Sequence, residues 1–201
     1  ANEKRLVEQV TDQLALALEN ARLFQAEQHR RQIADALRDI AQVIGSSLDI
    51  KEVSERMLDQ LSNLIEYQVA SIQLIGGSQR QLIAGRNYLG QAILQDNKGL
   101  WRAIAEDPFI TDVVRSQKPL LIPDTQADPG WKIHPETAWL RSWIAAPLIA
   151  SQEVLGILTI AHRIPGTYHQ ETVELASAVA AQAGIAIQNA RLFKQVQETL
   201  A

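Results

Sequence analysis

Gly184-Ile185-Ala186-Ile187-Gln188-Asn189-Ala190-Arg191-Leu192-Phe193 has a near copy in this chain: Leu16-Ala17-Leu18-Glu19-Asn20-Ala21-Arg22-Leu23-Phe24, displaced by 169 positions, matches it at Ala17 and from Asn20 to Phe24. The matches follow a pattern. Leu175, Val179, Gln182, Ala186, Asn189 and Phe193 correspond to Leu6, Val10, Gln13, Ala17, Asn20 and Phe24, at successive spacings of 4, 3, 4, 3 and 4. Such spacing holds all six on one side of a helix, as in the seam of a coiled coil. A second stripe, Val173, Ala176, Ala180, Ala183, Ile187 and Ala190, runs beside it and is mostly alanine. A helix apolar over most of its circumference is not a solvated surface helix. The pattern therefore predicts that one stripe packs on the helix's own domain and the other on a partner helix.

A repeat with a domain-sized period predicts that residues 1–32 close a preceding copy of the same module. The complete module is then 33–193, and 194–201 begin an onward linker helix. Residues 3–44 contain no proline or glycine and read as one helix, on the order of 60 Å long at ~1.5 Å per residue. After Phe24 the apolar stripe changes side: Ile33, Leu37, Ile40 and Ile44 are out of phase with the earlier set. The helix is expected to leave one partner surface and dock on another.

Composition removes several functions. The net charge of −4 is spread over 23 acidic and 19 basic residues, and no basic stripe marks a nucleic-acid surface. His29-Arg30-Arg31 reads as a solvated helix face. The chain has no cysteine, which excludes disulfides, thiolate metal sites, cysteine nucleophiles and thioether attachment of a cofactor. No metal-ligand spacing is present either. No apolar run approaches the ~20 residues that span a bilayer. A cytoplasmic module without direct membrane contact is the expectation.

Between the two long helices the period changes. Gly45-Ser46-Ser47 closes the first helix, and Asp49 is placed to cap a second over 50–65, with Val53, Met57, Leu61, Leu64 and Ile65 on one side. Residues 69–75 and 80–89 alternate as two strands around Gly76-Gly77-Ser78. Helical pieces are expected near 100–105 and 109–117, then a short strand, Leu120-Leu121-Ile122, stopped by Pro123-Asp124. After a loop over 125–140, 142–150 and 154–162 form a last hairpin, and a helix over 168–200 follows. This order describes an α+β fold, an antiparallel sheet with its helices segregated to one face.

Pro119-Leu120-Leu121-Ile122-Pro123-Asp124, Arg141-Ser142-Trp143-Ile144-Ala145-Ala146-Pro147-Leu148-Ile149, Val154-Leu155-Gly156-Ile157-Leu158-Thr159-Ile160 and the run from Ala183 to Phe193 resemble the GAF domain family, small-molecule-sensing modules of bacterial signalling proteins. The resemblance implies a central six-stranded antiparallel sheet. Long helices from both ends of the domain would cover one face, and a ligand pocket roofed by the middle segment would lie on the other. Pro147 suits an edge or bulge, and Gly156 a close backbone approach.

The ligand is less legible. Where cyclic-nucleotide-binding members have Asn-Lys, Phe and Asp-Glu, this chain has His162-Arg163, Tyr168 and Thr172-Val173, so cyclic GMP is disfavoured. Bilin-binding members are similar around Leu158-Thr159-Ile160-Ala161-His162, but their chromophore is tethered to cysteine, and a covalent bilin is excluded. His162 reads as a strand-end residue reaching water. The reductase branch of the fold, acting on free methionine sulfoxide, also needs cysteines. What remains is Trp131, Trp139 and Trp143, with His134, Arg141, Ser142 and Asp124 nearby, in a chain with 5% aromatics. Two readings stay open: the rings line a small-molecule site, or they fill it. Asp124 and Asp128 read as turn residues. The expected function is a non-catalytic sensory module of a multidomain protein, with a histidine kinase as parent, working as a homodimer through its long helices. The alternative is a ligand-free spacer and dimerisation domain.

Overall fold

The computed structural model describes residues 13, 18–20, 22–24, 27, 49–87, 101–133 and 137–200. The chain falls into two compact units, Ala1–Asp39 and Ile40–Ala201. In the first, the described residues are helical and exposed. The remainder of the expected helix over 3–44, with its change of face, lies outside the described residues, as do Leu6, Val10, Ala17 and His134.

The second unit is built on a six-stranded antiparallel sheet. In chain order its elements are helix α1 (Ile50–Leu61), strands β1 (Val69–Gly76), β2 (Gln79–Arg86) and β3 (Trp101–Ala103), a 3-10 turn (Ile104–Glu106), helix α2 (Pro108–Ser116), strands β4 (Leu120–Ile122), β5 (Ser142–Ala150) and β6 (Glu153–His162), and helix α3 (Gln170–Leu200). The strand order is β3-β2-β1-β6-β5-β4. Asp49 caps α1 as expected, its Oδ1 accepting the N–H groups of Lys51 at 2.7 Å and Glu52 at 3.2 Å. Asp107 caps α2 in the same way, with Pro108 in the first turn, where its missing N–H costs nothing.

The helix expected over 50–65 stops at Leu61, and a second expectation fails. Residues 101–103 form a strand rather than helix, pairing Gln79 with Ala103, Arg80 with Arg102 and Gln81 with Trp101. Three residues are too few to show a period, and what places them is the open edge of β2.

Alternation along the strands separates two cores. Ala70, Ile72, Ile144, Ala146, Leu148, Leu158 and Ile160 point to the face covered by α1 and α3. There Met57, Leu58, Leu61, Ile72, Leu158, Val179 and Ala183 close on one another without room for a water molecule. Arg86 ties β2 to α1, donating to Asp59 Oδ1 at 2.8 Å and to Glu55 O at 3.0 Å. Val69, Ala145, Ile157 and Ala161 point the other way and meet Ile110 and Val113 of α2.

The alanine stripe of α3 is buried throughout: Val173, Ala176, Ala180, Ala183, Ile187 and Ala190 all face the domain. Gly184 sets the separation. A Cβ there would lie 2.5 Å from Ile149 O and 2.9 Å from Ile149 C and N, so the helix rests on the backbone of β5. Gly156 serves β6 similarly, since a Cβ would collide with the carbonyl oxygen of Gln73. Pro147 lies beyond Leu120, the last partner β4 offers, and next to the bulge at Leu148/Ile149. Its missing N–H faces no neighbouring strand.

Gly184→Ala tests this packing. Helix propensity would favour alanine by about 1 kcal/mol, but forcing a methyl against a strand backbone costs typically ~1–3 kcal/mol. A lowered urea midpoint is expected. A midpoint at or above that of the native chain would show that α3 does not rest on Ile149.

Candidate functional site

The face opposite α3 divides into an aromatic half and a polar half. In the aromatic half Trp143 of β5, Trp131 of the loop and Phe109 of α2 pack as a triad. Ring centroids lie 5.2 Å apart for Trp131 and Trp143, 5.4 Å for Phe109 and Trp131, and 6.3 Å for Phe109 and Trp143. Two of the three pairs are edge-on, an arrangement the ring quadrupole favours. Trp131 is set by an Asx turn, in which Asp128 Oδ1 accepts from Gly130 N at 2.8 Å. Trp139 lies at the rim beneath the Arg163 guanidinium, 5.8 Å from ring centroid to Cζ.

The loop that carries Trp131 is clasped at its neck. Arg141 donates from Nε and Nη2 to Asp124 Oδ1 and Oδ2, both at 2.7 Å, a bidentate pair. Thr125 N donates to Arg141 O at 2.7 Å and Gly166 N to Pro123 O at 2.8 Å. Arg141 and Asp124 thus hold the roof in place. The hydrogen bonds from Arg141 hold the Asp124 carboxyl below the usual carboxylate range, against a smaller opposing effect of burial.

One residue expected at the pocket points elsewhere. Ser142 shares its face with Ile144 and Ala146, and its Oγ accepts from Tyr168 N at 3.3 Å, on the α3 side of the sheet. Its parity along β5 decides this. His162 is on that side too and does not reach water, being 4% exposed. Its Nδ1 accepts from Ile164 N at 3.2 Å, with Thr167 Oγ1 at 3.0 Å, which places the ring proton on Nε2, 3.9 Å from Glu66 Oε1. It holds the turn that leads into α3.

The polar half escaped sequence reading. Arg80 Nη1 donates to Gln73 Oε1 at 2.6 Å, Gln73 Nε2 to Ser71 Oγ at 3.2 Å, and Ser71 Oγ lies 2.7 Å from Thr159 Oγ1. Arg80 Nη2 also donates to Asp107 Oδ2 at 3.2 Å, so the residue that caps α2 is tied to the middle of the sheet. All but Asp107 are buried. The signal was Ser71 and Gln73, polar at alternate positions of a strand that is otherwise apolar. Buried polar groups persist where they are hydrogen-bonded, and these form a chain across β2, β1 and β6. Among the described residues no group of three His, Cys, Asp or Glu side chains could hold a metal ion.

The Arg141–Asp124 pair makes a pH-dependent contribution with a definite sign. A carboxylate whose folded pKa is depressed stabilises fully above the ordinary aspartate range, roughly 4, and loses that contribution as pH falls through the folded value. The melting difference between the native chain and Arg141→Gln should be constant near neutrality and shrink on acidification below that range. A difference that held steady or grew in acid would contradict the clasp.

Several solved structures share this fold. The GAF domain of a phosphoenolpyruvate-protein phosphotransferase from Coxiella burnetii is 18% identical, with a TM-score of 0.68 over 81% of this chain and 96% of that one. A methyl-accepting chemotaxis protein fragment is 18% identical, with a TM-score of 0.64 over 77% and 98%. Free methionine-R-sulfoxide reductase from Neisseria meningitidis is 12% identical, with a TM-score of 0.66 over 80% and 90%. No curated protein matches the sequence. The family model described as GAF domain matches residues 47–188, the part of the chain that holds the six-stranded sheet and the helices on it, and the chain belongs to the GAF domain family.

Proposed function

We propose that this chain is a non-catalytic regulatory module of a multidomain signalling protein, a histidine kinase being the expected parent. It turns events at α2 and the roof loop into a change in α3. One observation carries the reading: a hydrogen-bonded path leads from α2 to α3 around the end of the sheet, over the β5–β6 turn. Gln117, the left-handed C-cap of α2 (φ 56°), donates from Nε2 to Gln152 O at 3.1 Å. Ser151 and Gln152, both left-handed (φ 49° and 66°), form the β5–β6 turn, and Gln188 of α3 donates to Ser151 Oγ at 2.9 Å. Three non-glycine residues in a sparsely allowed conformation are thereby held in one patch between the two helices.

At one end of the path are the aromatic triad and the cap residue Asp107, and at the other is the helix whose text is repeated upstream. Long helices of two copies paired side by side would carry the change onward, and the repeat supports a preceding GAF module closed by the N-terminal helix. The chemotaxis protein among the structural neighbours supports the signalling setting. No helix among the described residues is long and apolar enough to cross a membrane. A ligand would be a small organic molecule held against Trp131 and Trp143. The packed triad equally favours the second reading, a ligand-free spacer.

Two measurements separate them. A small-molecule panel followed by thermal melting and tryptophan emission should find a stabilising compound, worth about 2.7 kcal/mol at a hundredfold excess over its Kd; a panel without a hit favours the spacer. Hydrogen exchange gives the second test. Asp107→Ala should loosen α2 and raise exchange around Gln188, and adding Gln117→Ala should confine the change to α2. Exchange at α3 that ignores Asp107→Ala would refute the relay.

A further inference from the structure

The relay leaves unstated which edge of α3 meets a second chain. The sequence-derived seam cannot run unbroken, because Val179 is 1% exposed, enclosed with Met57, Leu58 and Leu61 of α1. Leu175, Gln182 and Ala186 are partly covered, and on α3 only Asn189 and Phe193 of that set are exposed. The large apolar side chains that α3 leaves in water are Ile185 at 51%, Leu192 at 52%, Val196 at 56% and Phe193 at 40%.

Three of these fall on a single line. Ala178, Gln182, Ile185, Asn189, Leu192 and Val196 follow one another at spacings of 4, 3, 4, 3 and 4. In heptad terms Gln182, Asn189 and Val196 occupy a, and Ala178, Ile185 and Leu192 occupy d. Phe193 flanks this edge at e. Lys194 and Glu198, 4.0 Å apart, fall at f and c on the outer side, where charge belongs.

We propose that α3 pairs with α3 of a second copy of this chain, parallel and in register, along Gln182, Ile185, Asn189, Leu192 and Val196. This rests on the reading that the long helices pair, and it specifies the edge and the alignment. The two amides determine the alignment. In an antiparallel pair Asn189 would face an apolar d residue, and in a parallel pair shifted by one heptad Asn189 of one helix would face Val196 of the other, each leaving an amide unsatisfied; in a parallel, in-register pair Asn meets Asn and Gln meets Gln. A buried Asn at an a position specifies register and oligomer state at some cost in stability. The N-terminal helix has the same order, Gln13, Leu16, Asn20 and Leu23, with Leu23 63% exposed.

The absence of cysteine makes the test direct. Oxidised single-cysteine variants Ile185→Cys and Leu192→Cys should form covalent dimers at yields several-fold above Leu175→Cys and Lys194→Cys. Asn189→Leu should melt higher and spread from a dimer into larger species by light scattering. Cross-linking that peaks at Leu175→Cys instead of Leu192→Cys would overturn this alignment and leave the relay standing, as would unchanged melting and mass for Asn189→Leu. A monomer mass for the native chain would remove the pairing altogether, with the relay within the chain still judged by exchange.

Discussion

The helix side of this molecule depends on how closely α3 approaches β5. Gly184 lies against the backbone of Ile149, and the alanines on either side of it let a helix of 31 residues settle along the strands. The closeness has a directional effect. A helix held by backbone contact at its middle has one rotation about its axis, and that rotation decides which side chains are buried and which remain for others. Val179 is drawn under α1, while Ile185, Leu192 and Val196 are turned outward. One residue without a side chain thus sets the outer surface of the helix as well as its seat.

The opposite face works by different physics. Its aromatic half is filled by rings from three separate segments, α2, the roof loop and β5, so none of the three can shift without opening a void beside the other two. Its polar half is a chain of hydrogen bonds from Asp107 to Thr159, whose members would be costly to leave unpaired in a buried setting. The cap of α2 belongs to this chain, and the C-terminal end of the same helix holds the β5–β6 turn. α2 is therefore fixed at both ends by directional bonds and along its length by apolar contact.

Much of this was readable before any coordinates. The two hairpins, the Asp49 cap, the short strand at Leu120 and the alanine stripe of α3 are local patterns, and local patterns survive folding. Strand β3 was not readable, because its reason for being extended lies in β2, some twenty residues away. The site was read less well. Trp131 and Trp143 did come together, and Asp124 and Arg141 proved to be partners, but Ser142 and His162 turned to the far face, which the alternation of β5 and β6 decides. Arg80, Gln73 and Asp107 went unseen because a buried polar chain is a relation among three segments, and no one segment displays it. Val179 shows the same limit: periodicity groups residues by face but does not say where one neighbour ends and the next begins.

The strand order carries a kinetic meaning. β1 sits at the middle of the sheet, yet the strand beside it is β6, so Val69 waits for Ala161 before its second edge is satisfied. On a ribosome the first hairpin emerges with that edge bare, and the sheet cannot close until about seventy-five residues beyond Arg86 have been made. Contacts of such long range slow folding and leave a template for mispairing in the interval. The polar atoms of Ser71 and Gln73 lie on the β1 strand that waits, giving the nascent hairpin a less greasy surface until β6 arrives to share them.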